Sequence, residues 1–194
     1  ASQFSVHKVY DSLKSQGVRV SKKTLYAYQK IPEDVNFGFF LRKIEPSRKK
    51  AAASIPKFYL VDNGIYTYFE GENLGRLVEN VVFLELVKKG YTPNVDFFYW
   101  RNVRGEEVDF VAGRGGETRL IQVTYASGRD EVDKRAETLV KASRLPGSKN
   151  LEVVTWSYEE KLEVEGRKIS FTPLWKWGLG DTTDTYGTTV AQSQ

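Results

Sequence analysis

A chain of 194 residues, 40% hydrophobic and 28% charged, can bury a core as one domain or as a small domain beside a larger one. Zero cysteines and a single histidine, His7, exclude disulfides, thiolate metal sites and multi-histidine zinc centres. The net charge of +4 permits a polyanionic partner. With no long apolar run and no N-terminal signal-peptide pattern, a cytoplasmic protein without a membrane span is expected.

Val6, Val9, Tyr10 and Leu13 have the spacing of an amphipathic helix over 5–17, stopped by Gly17. Ser21 is a good cap for a second helix over 21–31, with Leu25, Tyr28 and Ile31 on one face and Pro32 as its end. A strand over 37–45 and a polar, basic loop over 46–54 follow. Helix, short turn, capped helix, strand and basic loop is the order of a winged helix-turn-helix. On that reading Lys22, Lys23 and Tyr26, with Arg48 and Lys49 of the loop, contact DNA. The stretch 17–24 approximates a phosphate-binding loop, but Lys22 stands at its second glycine and a helix precedes it, so no nucleotide site is expected.

A strand ends at the turn signal Asp62-Asn63-Gly64. The longest helix, over 74–89, is apolar nearly all round, which makes Glu79 and Asn80 out of character. A carboxylate there needs a cation, a metal or a local pair such as Arg76. A hairpin follows, with strand 97–101, a turn at 102–106 carrying Arg104, and a strand carrying Asp109; Arg101 closes the first strand. Alternation places Glu107, Asp109 and Val111 on one face and Val108, Phe110 and Ala112 on the other. After a glycine-rich turn, the strand 119–125 puts Gln122 and Thr124 on a shared face. An acid in an apolar strand followed by polar residues at i and i+2 of the next suggests a metal-dependent nuclease site.

The rest is a helix over 128–144 with Lys134 early in it, a strand over 151–157, a closing segment with Trp175 and Trp177, and a polar tail over 178–194.

On the motifs FYLVDNG, GRLVENVVFLEL, EVDFV and LIQV, the chain resembles the C-terminal half of archaeal AAA-type ATPases, in which a winged helix precedes a PD-(D/E)xK nuclease-like domain. The ATPase domain has no counterpart in these residues. The resemblance implies an α/β architecture: a winged helix-turn-helix over 1–56, a restriction-endonuclease-like mixed sheet of four core strands flanked by helices over 57–177, and the tail. By position, Asp109 matches the strand aspartate, Gln122 the (D/E), Thr124 the lysine and Glu79 the helix glutamate. Glu79, Asp109 and Gln122 would hold Mg²⁺ (or Mn²⁺), which prefers a few oxygen ligands and would activate water for phosphodiester hydrolysis. Thr124 brings no positive charge and Gln122 no negative one, so Lys134 is the expected substitute cation, with Arg101 behind it. Two functions stay open: a Mg-dependent DNA endonuclease with a degenerate motif, and a non-catalytic nuclease-like module that binds DNA or protein. DNA and an AAA-type ATPase domain or subunit are the expected partners, and a homodimer is compatible with either reading.

Overall fold

A computed structural model of the chain describes residues 2–129 and 133–180. The expected tail therefore lies outside the described residues from 181 onward. The elements form a mixed α/β architecture with two sheets.

The smaller sheet has three antiparallel strands in the order β1 (Ser2–Gln3), β3 (Lys57–Leu60) and β2 (Gly38–Leu41). Helices α1 (Val6–Ser15), α2 (Lys22–Tyr28) and α3 (Ile31–Asp34) accompany it. Ser5 caps α1 and Ser21 caps α2, each accepting a main-chain N–H three residues on. Pro32 opens the one-turn α3, where its missing N–H costs nothing, so a helix begins where the sequence signalled only an end. The segment expected as a basic loop contains α4 (Arg48–Ala53). Ser47 caps it, and its Ala and Lys residues are strong helix formers. Asp62-Asn63-Gly64 likewise starts a helix, α5 (Asn63–Glu70), because Asp62 is its N-cap and accepts the Gly64 N–H at 2.6 Å.

The larger sheet has six strands rather than four: β4 (Phe97–Arg101), β5 (Glu107–Arg114), β6 (Glu117–Val123), β7 (Ser148–Thr155), β8 (Glu160–Val164) and β9 (Arg167–Pro173). Their order is β4-β5-β6-β7-β9-β8. The outer pairs are antiparallel, while β6–β7 and β7–β9 are parallel. The extra strands form the β8–β9 hairpin, hidden in the sequence by the charged run 159–168.

One face of this sheet is covered by α6 (Leu74–Lys88) and α8 (Leu174–Leu179), the other by α7 (Asp133–Ala142). Val78, Val82, Phe83 and Leu86 of α6 pack with Phe97, Phe110, Ile121, Val123 and Trp177. Ala136, Leu139 and Ala142 of α7 pack with Val108, Val111, Leu120 and Val153. No helix among the described residues is long and apolar enough to cross a membrane.

The two sheets meet where the segment following β2 runs beside β4. Ile44 donates to the Tyr99 carbonyl at 2.7 Å, and Tyr99 donates to that of Arg42 at 3.1 Å. Residues 57–60, assigned by the expected boundary to the second domain, pair within the small sheet and lean on α6. Asn80 fastens that contact: its Oδ1 accepts the Leu60 N–H at 3.0 Å, and its Nδ2 donates to the Leu60 carbonyl at 2.8 Å. This is why a fully buried asparagine sits in an apolar helix. Replacing Asn80→Ala strands both Leu60 groups. We expect a loss of about 1–3 kcal/mol per stranded group in urea unfolding; an unchanged midpoint would mean that Asn80 does not hold β3.

Candidate functional site

A β-bulge builds the site. Phe98 of β4 is opposite Val111 of β5, but Trp100 is opposite Val108, so two steps along β4 span three along β5. The extra residue lies at 109–110 and breaks the alternation expected from the sequence. Phe110 and Ala112 face α6, whereas Val108 and Val111 both pack on the α7 side. Glu107 and Asp109 share the α6 face, as expected, but Val111 does not join them. Beyond Phe110↔Ile121 no further β5–β6 pair is formed, and the Val123 N–H donates to Asp109 Oδ2 at 2.9 Å.

Into this corner β3 sends Lys57. Its Nζ lies 2.8 Å from Glu79 Oε1, 2.7 Å from Glu107 Oε1 and 3.0 Å from Asp109 Oδ1. An ammonium has three protons and no acceptor capacity, so three carboxylates from α6 and β5 satisfy it fully. Two residues on, and thus on the same face of β3, Tyr59 donates to Glu79 Oε1 at 2.8 Å. The Tyr59 ring stacks on Phe83 at 4.2 Å, and Lys57 Nζ stands 5.6 Å from the centre of the Tyr99 ring. Gln122 Nε2 donates to Asp109 Oδ2 at 2.7 Å. Its Oε1 is buried without a partner, a defect of the order of 1–3 kcal/mol.

Lys57 is only 5% exposed, Asp109 6% and Gln122 1%. Burial would strip the Lys57 proton, but the charges around it, Asp109 and Glu79 among them, hold its pKa well above its ordinary value. Burial pushes the Tyr59 hydroxyl up as well, reinforced by Glu79. Burial also raises the pKa of Glu79, yet the charge of Lys57 and the bonds from Lys57 and Tyr59 bring it below its ordinary value. For Asp109 burial wins: its pKa is raised, with Lys57 offsetting only part of the effect.

Of the expected site residues, Glu79, Asp109 and Gln122 are brought together. Lys134 is exposed in the first turn of α7, and the cation of the cluster is Lys57 instead. Thr124 lies just past β6, its N–H donating to the Val154 carbonyl. With Lys57 in place, both Asp109 oxygens and one oxygen each of Glu79 and Glu107 are engaged, while Gln122 Oε1, an expected ligand oxygen, has no partner. Asp109 Oδ2 carries two donors, and the ammonium occupies the space between the other three oxygens. Among the described residues no group of three or more His, Cys, Asp or Glu side chains forms a metal-holding cluster.

The expected DNA contacts are dispersed. Lys22 turns back onto α1, 3.0 Å from His7 Nδ1 and 5.0 Å from the centre of the Tyr10 ring. Lys23, Tyr26, Lys49 and Arg104 are exposed, and Arg101 is half-buried at the end of β4. Arg48 opens α4.

Residues 74–177 match the model of a domain family of unknown function, DUF4143. The chain belongs to this family. The match starts at α6 and ends at Trp177, so it takes in Glu79, Glu107, Asp109 and Gln122 but leaves Lys57 and Tyr59 outside. Among curated proteins, the chain is 31% identical over 188 residues to the uncharacterized protein MJ1544 of Methanocaldococcus jannaschii, covering 92% of this chain and 41% of that protein. It is 23% identical over 171 residues to an uncharacterized protein of Haemophilus influenzae, covering 87% of this chain and 40% of that protein. It thus spans about two fifths of the length of these relatives, one archaeal and one bacterial.

Lys57→Met leaves three carboxylates facing one another, and breaking a buried pair in this way costs about 3–5 kcal/mol. We expect that loss in chemical unfolding at pH 7, shrinking as the pH falls and the carboxylates take up protons. A loss under 1 kcal/mol would show that the ammonium does not hold the cluster. In the unaltered protein, Lys57 keeps its proton more tightly folded than unfolded. Its contribution is therefore complete below its ordinary value of 10.5 and drains as the pH climbs past it. Glu79 contributes above its ordinary 4.5 and loses that contribution as the pH falls below. Asp109, raised from 3.8, runs the other way and softens the acid loss. Unfolding midpoints from pH 3 to 11 should form a plateau that bends down above about pH 10, where Tyr59 and then Lys57 hold their protons more tightly folded than unfolded; a downturn of the same size in Lys57→Met would contradict the assignment.

Proposed function

We propose that this chain is a non-catalytic, nuclease-like module that binds DNA and works with an AAA-type ATPase. The observation that carries the reading is the Lys57 ammonium, held at 2.7–3.0 Å by Glu107 and by Glu79 and Asp109, the two carboxylates that a nuclease of this class would turn towards a metal. A lysine locked there offsets part of the acids' charge without a metal and engages one oxygen of each carboxylate that a metal would otherwise draw on. The neutral Gln122 and Thr124 agree with a site relieved of catalysis, since neither supplies the charge that phosphoryl chemistry needs. The basic residues spread over α2, α4 and the β4–β5 turn support a DNA partner. The ATPase partner rests on the resemblance. It suits a chain that covers about two fifths of its relatives' length.

A lysine touching the strand aspartate is also what the endonuclease reading needs, and it keeps that reading second: Lys57 would then be a motif lysine supplied from β3. Incubation with plasmid, branched and single-stranded DNA in Mg²⁺ or Mn²⁺, beside Asp109→Ala, separates the two. We expect binding without cleavage. Cleavage that disappears in Asp109→Ala would establish the endonuclease instead. For the first unit, Lys23→Ala should lower the slope of log K against log salt by up to about 0.9 on duplex DNA, and Lys22→Ala by less because Lys22 is engaged by His7. Equal loss in both would mean that Lys22 swings free of α1 to reach the phosphates.

A further inference from the structure

The two sheets enclose an open cleft of about 470 Å³ between β1, the segment after β2, α4 and β4. Its cations are Lys43, Lys50 and Arg101, and its one carboxylate is Glu45. Glu45 is already spent on Lys43 at 2.6 Å. Arg101 should have a partner of its own, because it lies directly across the strand pair from Glu107. Lys57 takes that carboxylate at 2.7 Å, and neither Arg101 nor Lys50 has an acidic partner among the described residues. The buried cluster therefore has a consequence at the surface: it draws the natural counter-charge inward and leaves two cleft cations, on α4 and β4, without an acidic partner among the described residues.

We propose that this cleft is the module's phosphate site and holds the backbone of a nucleic acid strand, with Arg101 and Lys50 on its phosphates. The proposal rests on the DNA-binding part of the reading above and gives it a place. A guanidinium presents a planar fork suited to two phosphate oxygens, and a lysine on the opposite wall supplies a movable point charge. Ile55, 45% exposed beside Tyr99, gives the rim an apolar step on which a ribose or base edge can rest. The position also separates this site from the α2 face. The expected contacts at Lys22, Lys23 and Tyr26 lie on another element, whereas the cleft adds Lys43 and Lys50 to Arg101.

The test uses the full chain and fluorescein-labelled 20-nucleotide single strands and duplexes, with affinity measured by anisotropy from 50 to 250 mM salt. Inorganic phosphate and poly-glutamate serve as competing probes. Lys50→Ala/Arg101→Ala should weaken binding at least tenfold at the lowest salt. It should also reduce the slope of log K against log salt by about 1.4 on single strands and about 1.8 on duplex, the signature of two lost phosphates. Circular dichroism and the unfolding midpoint of the variant should match those of the parent, since neither side chain has an ion-pair partner among the described residues. Phosphate and poly-glutamate should compete only weakly. An unchanged slope with intact DNA binding overturns the cleft and leaves the DNA-binding reading standing. No DNA binding by the unaltered chain overturns both. Competition by poly-glutamate at equal charge assigns the cleft to an acidic protein, and binding of inorganic phosphate without oligonucleotide assigns it to a free anion. Either outcome overturns the proposal.

Discussion

The structure turns on one buried ammonium. Lys57 joins the small sheet to the large one by satisfying carboxylates from α6 and β5 at once. Removing a lysine and three acids from water is costly, and the mutual attraction offsets that cost only because every proton of the ammonium has an acceptor. The surroundings then follow. Tyr59 supplies a second donor to Glu79, Gln122 and Val123 hold the far oxygen of Asp109, and Asn80 fixes the strand that presents Lys57.

The same arrangement connects core to surface. Glu107 and Asp109 share one face of β5, the bulge brings Phe110 to the same side, and Lys57 gathers both acids. Because Glu107 is spent inside, Arg101 has no acidic partner among the described residues on the cleft side of β4. On the function proposed above, Lys57 holds the acid corner rigid and nucleic-acid contact falls to the surrounding cations. The matched family segment includes the acids but not Lys57, so the neutralising residue comes from the strand just outside it.

Much of this was legible in the residues. The apolar run from Leu77 to Val87 predicts α6, and Glu79 and Asn80 stand out within it because a buried acid and a buried amide need partners. The β5–β6 hairpin is written in its alternation and in Gly115 and Gly116, both at positive φ. Lys57 was missed because a lysine at the start of a strand reads as solvated. Its signal was the phase of FYLV: Lys57 and Tyr59 occupy the buried positions of β3, alternating with Phe58 and Leu60. The bulge left no trace, since no glycine or proline marks 109–110. The helices α4 and α5 were obscured by reading Ser47 and Asp62 as loop residues rather than caps.

The central claim is that the Lys57 ammonium holds the acid corner together, and its side-chain nitrogen reports on it directly. In ¹⁵N-lysine-labelled protein, with Lys57→Met to assign the signal, its ammonium resonance should be protected from solvent exchange and should stay charged beyond pH 10.5, the ordinary lysine value. Mn²⁺ should leave it unbroadened. A Lys57 signal that exchanges and titrates like a free lysine, or that Mn²⁺ broadens while displacing it from the carboxylates, would contradict the account.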